Sequence, residues 1–187
     1  MFSDNSRKII FILFLTGTVL SLLFFKMVIR KAVIDLELKT ESRTTLKVYW
    51  AVGDQPYSEE NMGRITLTPG NEHYSFRICN IGKIDRLRID TSDEKISKVT
   101  LRRVSIHQNG YKPIEFFDKP SFEKLVVLRG IESLAYNEKG LTVVPADKDP
   151  QLEYRLPTLT YTPEYIQNAF RVLVIFLVAG LLFRTNL

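Results

Sequence analysis

Through the middle of the chain, apolar residues recur at every second position. Ile34-Asp35-Leu36-Glu37-Leu38-Lys39 alternates without a break, as do Leu46-Lys47-Val48-Tyr49-Trp50 and Tyr74-Ser75-Phe76-Arg77-Ile78. Leu87-Arg88-Ile89-Asp90 and Leu152-Glu153-Tyr154-Arg155-Leu156 repeat the pattern. A period of two places one face in a core and the other in water, which is the signature of antiparallel strands. Val99 to Ile106 keeps the alternation except at Arg102-Arg103, where two polar residues fall together. One extra residue there predicts a β-bulge. Gly53-Asp54-Gln55-Pro56, Pro69-Gly70-Asn71, Asn80-Ile81-Gly82, Asn109-Gly110 and Asn137-Glu138-Lys139-Gly140 supply turn chemistry between the runs. Short strands with turns at regular spacing predict an antiparallel β-sandwich or jelly roll over residues 32–160. Residues 120–137 depart from this rhythm: Phe122, Leu125, Val126 and Leu128 to Ile131 predict a short amphipathic helix, interrupted at Gly130.

The two ends are of another kind. Ile9 to Phe25 is a seventeen-residue run without charge, followed by Lys26 and by Met27-Val28-Ile29. A helix rises about 1.5 Å per residue, so roughly 20 residues cross a hydrocarbon layer of about 30 Å. With Lys26 reaching back to the interface, 9–29 is long enough. A cleaved signal peptide is the rival reading, but this run exceeds the roughly 7–15 residues of such a segment, and no small-x-small site follows it. Val172 to Phe183 is uniformly apolar; extended back through Arg171 to Tyr165 it gives a second span, 165–183. A buried core helix would normally keep a polar stripe, which this segment lacks. The expectation is a mainly β domain between two transmembrane helices, with residues 1–8 and the tail 184–187 in the cytoplasm. The domain would then stand outside it, at a bacterial inner membrane. Gly17 and Ser21 on the first span, and Gly180 on the second, are positions where a neighbouring helix could approach closely.

Charge follows the same division. Seven of the 26 basic residues and one of the 21 acidic ones lie in the end segments, leaving 19 against 20 across 32–165. A nearly neutral domain has no field with which to hold a phosphate backbone, which argues against nucleic acid as a partner. The single Cys79 cannot form an intramolecular disulfide and reads as a small core hydrophobe. No Cys/His grouping has zinc spacing, no motif calls for a cofactor, and no nucleophile elbow, phosphate loop or His-Glu-x-x-His occurs. His73 and His107 read as surface or internally satisfied residues. Asp90-Thr91-Ser92-Asp93-Glu94 could place hard oxygens around calcium, although a solvated turn needs no metal. Arg86 and Arg88, on one face with Asp90, read as ion-pairing partners.

One segment gathers aromatics and carboxylates: Tyr49, Trp50, Asp54, Tyr57 and Glu59, with Glu60 beside them. Sugars lay their apolar faces on aromatic rings and share hydroxyl hydrogen bonds with carboxylates, so these five are the candidate ligand-binding residues. Trp50 falls on the Leu46/Val48 face and equally fits the core. Glycoside hydrolysis would need two carboxylates about 5–9 Å apart, one with a raised pKa. The sequence pairs no two acids in that way, and no catalytic residue is assigned.

Leu87-Arg88-Ile89-Asp90, followed about ten residues later by Val99-Thr100-Leu101, resembles a module of polytopic bacterial membrane glycosyltransferases and related proteins of cell-surface polysaccharide assembly. Leu46 to Ser58, Gly140-Leu141-Thr142-Val143, and Asp149-Pro150 leading to Leu156-Pro157 fit the same module, so the likeness covers about 45–157. It implies a jelly-roll, carbohydrate-binding-like domain on the extracytoplasmic side. The many-helix catalytic part of such enzymes is absent here. The implied function is a two-span accessory subunit that assists a membrane glycosyltransferase or envelope-polysaccharide machinery. Its partners would be the lipid bilayer, a polytopic membrane protein or further copies of itself, and possibly a glycan. The alternative is a non-catalytic scaffold or regulatory subunit with no sugar recognition.

Overall fold

The structure, a computed structural model, describes residues 30–93 and 97–163, together with residues 8, 11, 12, 14, 15, 18, 19, 167 and 170. The chain forms two compact units. One comprises Lys31–Gln108 and Lys112–Leu159; the other joins Met1–Arg30, Asn109–Tyr111 and Thr160–Leu187.

The first unit is mainly β. Its strands are β1 (Val33–Thr40), β2 (Thr44–Ala51), β3 (Met62–Leu67), β4 (His73–Arg77), β5 (Arg86–Asp90) and β6 (Val99–His107). They continue with β7 (Ile114–Phe116), β8 (Val126–Arg129), β9 (Ile131–Asn137), β10 (Gly140–Pro145) and β11 (Gln151–Arg155). All pairings are antiparallel. One sheet runs β4-β1-β6-β10-β9, with β7 also on β6; the other runs β3-β2-β5-β11-β8. The two orders keep step: β1 and β2, β3 and β4, β5 and β6, β8 and β9, and β10 and β11 are neighbours in the chain that belong to opposite sheets. This arrangement is that of a β-sandwich.

The period-two runs become these strands because their apolar positions meet in one core. Ile34, Leu36 and Leu38 of β1 and Val99, Leu101, Val104 and Ile106 of β6 are buried from one sheet. Leu46 and Val48, Leu87 and Ile89, and Leu152 and Tyr154 are buried from the other. Phe116 and Tyr154 meet edge-on across the sheets with ring centroids 4.7 Å apart. At about 25 cal/mol for each Å² of apolar surface removed from water, side chains of this size each contribute about 1.5–3 kcal/mol to folding.

The predicted bulge is present. Glu37 pairs with Arg103 and Leu38 with Leu101, so Arg102 is the extra residue. It marks a change of neighbour, because β10 pairs with β6 at Val99 to Leu101 and β7 pairs with it at Val104 to Ile106.

The helix expected over 120–137 is not formed. Only α1 (Lys119–Phe122) is helical, started by a capping box between Asp118 and Ser121 and by Pro120 in its first turn. Val126 and Val127 are β-branched and prefer the pleat. Gly130, at φ +68°, then turns the chain from β8 into β9. A Cβ at 130 would lie 2.6 Å from the Asp149 carbonyl oxygen, so glycine is required there on two counts.

In the second unit, Tyr111 and Tyr161 form an isolated antiparallel bridge with ring centroids 5.0 Å apart. The Thr162 N–H donates to the Gly110 carbonyl. Residues 8, 11, 12, 14, 15, 18 and 19 are helical, and Phe11, Ile12, Phe14, Leu15 and Val19 are all exposed. Among the described residues no helix is long and apolar enough to cross a membrane. The spans expected over 9–29 and 165–183 fall for the most part outside the described residues, and Gly17, Ser21 and Gly180 fall wholly outside them.

Candidate functional site

The outer face of the β3-β2-β5-β11-β8 sheet is built in rows by strand register. Met62, Tyr49, Arg88, Glu153 and Val126 stand side by side across the five strands, and Arg64, Lys47, Asp90, Gln151 and Arg129 form the next row. The loop between β2 and β3 is fastened to this sheet at three points. The Gly53 N–H donates to Asp85 Oδ2 at 2.7 Å, Arg86 Nη2 to the Gln55 carbonyl at 2.7 Å, and the Tyr57 hydroxyl to Glu153 Oε2 at 2.9 Å.

Arg88 is the centre of the cluster. Its guanidinium lies 4.0 Å from the ring centroid of Tyr49 and 5.1 Å from that of Tyr57, a cation–π arrangement on both. Its Nε and Nη2 each donate to Asp90 at 2.9 Å, a bidentate pair. Tyr49 donates to Glu59 Oε1 at 2.8 Å, and the two tyrosine rings meet edge-on at 6.5 Å. Arg86 lies over the Tyr57 ring at 5.2 Å and reaches Glu153 at 3.6 Å.

Burial sets the proton affinities. Asp90 is only 2% exposed, and desolvation pushes its carboxyl up to about 6 against the opposing pull of Arg88. Burial and the carboxylate of Glu59 push the Tyr49 hydroxyl up to about 12. Burial and Glu153 raise Tyr57 in the same way. Both phenols therefore stay protonated and act as donors to carboxylates.

Of the five candidate residues, the structure brings three together: Tyr49, Tyr57 and Glu59. Trp50 points to the opposite face of β2, where its ring lies 3.8 Å from the Cβ position of Gly63 and faces the same glycine as Phe76. Asp54 is exposed in the turn and takes no part in the cluster's hydrogen bonds. The Tyr49 ring, 4% exposed and covered by Arg88, has no open face for a sugar. Arg86, Arg88, Asp90 and Glu153 complete the cluster. The first three were legible as an ion-paired face, but the burial of Asp90 was not. Glu153 carried no signal, because its partner is 96 residues away in sequence.

The acidic loop also resolves. The Asp93 carboxylate accepts from the Thr44 hydroxyl at 2.8 Å and the Thr45 N–H at 2.9 Å, which lowers its pKa, while Asp90 is held by Arg88. Glu94 lies outside the described residues. Among the described residues, no group of three His, Cys, Asp or Glu side chains is placed to hold a metal ion. Cys79 is half-buried, and desolvation raises its thiol.

His73 and His107 lie on the outer face of the other sheet, where His107 Nδ1 is 3.3 Å from Asp35 Oδ2. That face carries an open cavity of about 450 Å³ lined by Asp35, Glu37, His73, Ser75, Arg103 and Ser105. In the sequence, Asp35 and Glu37 look like ordinary wet positions of a strand. The signal available was two acids at alternating positions opposite the doubled arginine of the bulge.

The chain matches no known protein family and no curated protein. The class that the fold and site define is a mainly β, two-sheet domain with a closed arginine–tyrosine–carboxylate cluster on one outer face and an open polar cavity on the other.

Proposed function

We propose that this protein is a non-catalytic accessory subunit that assists a membrane glycosyltransferase or envelope-polysaccharide machinery. It is tethered by apolar helices over 9–29 and 165–183 and presents the sandwich outside the cytoplasm. The observation that carries this reading is the lateral edge made by β8 and β9. Val126, Val127, Leu128, Leu134 and Tyr136 are 37–57% exposed there, on two terminal strands with unpaired backbone edges. Apolar side chains exposed together on a strand edge are suited to contact with a partner subunit. The opposite edge needs no such cover, since Phe76 of β4 closes over Gly63 of β3. The helical residues Phe11, Ile12, Phe14, Leu15 and Val19 support the tether, because large apolar side chains exposed together on a helix call for lipid or protein against them.

The finer description as a jelly roll draws support from the winding, in which chain-adjacent strands pass repeatedly between sheets. The order differs from the standard form in one respect: the β1–β2 pair lies beside β3–β4 and β5–β6 rather than beside the last pair, β10–β11.

The scaffold reading, without sugar recognition at Tyr49 and Tyr57, is favoured by one observation. Both hydroxyls are already engaged by Glu59 and Glu153, and Arg88 covers the rings. Affinity purification of the full chain in mild detergent tests the proposal. A polytopic glycosyltransferase should accompany it in stoichiometric amount; a chain that purifies alone as a monomer contradicts the proposal.

A further inference from the structure

We propose that the open cavity on the outer face of the β4-β1-β6 sheet binds an oligosaccharide that carries amino groups. Its volume of about 450 Å³ lies within the roughly 300–1,000 Å³ of ordinary ligand sites. The residues reach it by strand parity. Ser75, Asp35 and Ser105 form one row across β4, β1 and β6, extended to Glu115 of β7; His73, Glu37 and Arg103 form the next. Their neighbours Ile34, Leu36, Leu38, Val104 and Ile106 are all buried on the other side of the sheet.

The bulge is part of this construction. The inserted Arg102 stands next to Arg103, which lines the cavity from β6, and each arginine is answered by a carboxylate. Arg103 donates to Glu115 at 2.7 Å, and Arg102 donates to Glu72 at 2.5 Å. Bulges re-aim side chains in this way beside functional sites.

The chemistry of the lining selects the ligand. Carboxylates only accept, guanidinium only donates, neutral imidazole does one of each, and serine hydroxyls do both. A ligand whose groups both give and take hydrogen bonds at short intervals satisfies all of them, and a polyhydroxylated chain is such a ligand. The one aromatic residue at the cavity, Tyr74, has its hydroxyl bound to the Thr68 and Asn71 carbonyls and is buried. Recognition is therefore by hydrogen bonds rather than ring stacking. Two carboxylates, Asp35 and Glu37, line the cavity beside one guanidinium group, Arg103, which is itself paired with Glu115, so the lining keeps a surplus of negative charge. Ammonium groups on the sugar complement that surplus, and N-acetylation removes them. The choice of a saccharide rests on the function proposed above; the site itself rests on the geometry.

Calorimetric titration of the full chain in detergent with a glucosamine tetramer and with its N-acetylated counterpart tests the assignment. The glucosamine tetramer should bind about tenfold or more tightly than the acetylated one, a difference of about 1.4 kcal/mol. Glu37→Gln and Asp35→Asn should each weaken it several-fold with the circular dichroism spectrum unchanged. Equal affinity for the two tetramers, no binding of either, or full affinity in a folded Glu37→Gln variant overturns the assignment. Co-purification separates this from the wider proposal: a chain that brings a glycosyltransferase with it yet ignores both tetramers sinks the cavity alone. A chain that binds the glucosamine tetramer but purifies alone sinks the accessory role alone.

Discussion

Arg88 organises the outer face of one sheet because it answers three needs at once. It neutralises the buried Asp90, covers the Tyr49 ring, and lies against the Tyr57 ring that holds the β2–β3 loop down. The cost appears in Asp90. Its folded pKa of about 6 stands above the ordinary 3.8, so between those values the folded protein holds a proton that the unfolded chain has lost. Stability from this group is therefore greatest below pH 4 and declines as pH rises through 6, by roughly 3 kcal/mol in all. Asp93 and Asp118 are shifted the other way by hydrogen bonds and lose their contribution on acidification, but they do so in any Asp90 variant as well. Urea unfolding of wild type and Asp90→Asn from pH 7 to pH 4 should thus show wild type gaining on the variant as pH falls. Parallel curves would show that Asp90 is ionised throughout. The sequence pointed to the Arg88–Asp90 pair through its i, i+2 spacing. It could not show that a loop starting at Val52 folds back to exclude water from it.

At the scale of elements, the strands that sequence made legible are those that alternate apolar and polar residues: β1, β2, β4, β5, β6 and β11. The period of two survives because one side of each packs in the apolar core, while the other side meets water in β1, β4 and β6 and a polar cluster under the β2–β3 loop in β2, β5 and β11. The stretch over β8 and β9 resembles a helix in sequence for a different reason. As terminal strands they expose apolar side chains without regular alternation, and Phe122, Leu125 and Val126 happen to fall at helical spacing. The bulge was legible because it interrupts an otherwise strict alternation; its consequence, the hand-over from β10 to β7 along β6, was not. That hand-over is tight. Gly140 begins β10 at φ +115°, and a Cβ there would lie 2.2 Å from the Leu101 carbonyl oxygen and 2.9 Å from the Arg102 Cα. Both obstacles are backbone and cannot move aside. Gly140→Ala should cost about 3 kcal/mol or more. Gly70→Ala, at φ +87° in open space, should cost only about 1–2 kcal/mol through conformation alone. Thermal unfolding of the two variants checks the contrast, and equal losses would mean that the Gly140 approach is not close in solution.

The whole molecule combines a sandwich with one closed and one open lateral edge and an N-terminal segment in which the helical residues Phe11, Ile12, Phe14, Leu15 and Val19 are exposed. Composition separates a nearly neutral middle from hydrophobic ends, and the middle is mainly β. It held no information on which edge would stay uncovered, because that depends on Phe76 meeting Gly63 from another sheet. The proposed accessory role requires the exposed β8–β9 edge to be the contact surface for a membrane partner. Photo-crosslinking in intact cells, with the reactive residue placed at Val127 or Leu134 and, for comparison, at the exposed Val52 far along the chain, tests this most directly. Crosslinks from Val127 and Leu134 to one polytopic membrane protein, with none from Val52, are the predicted result. The same faint pattern from all three positions would contradict it.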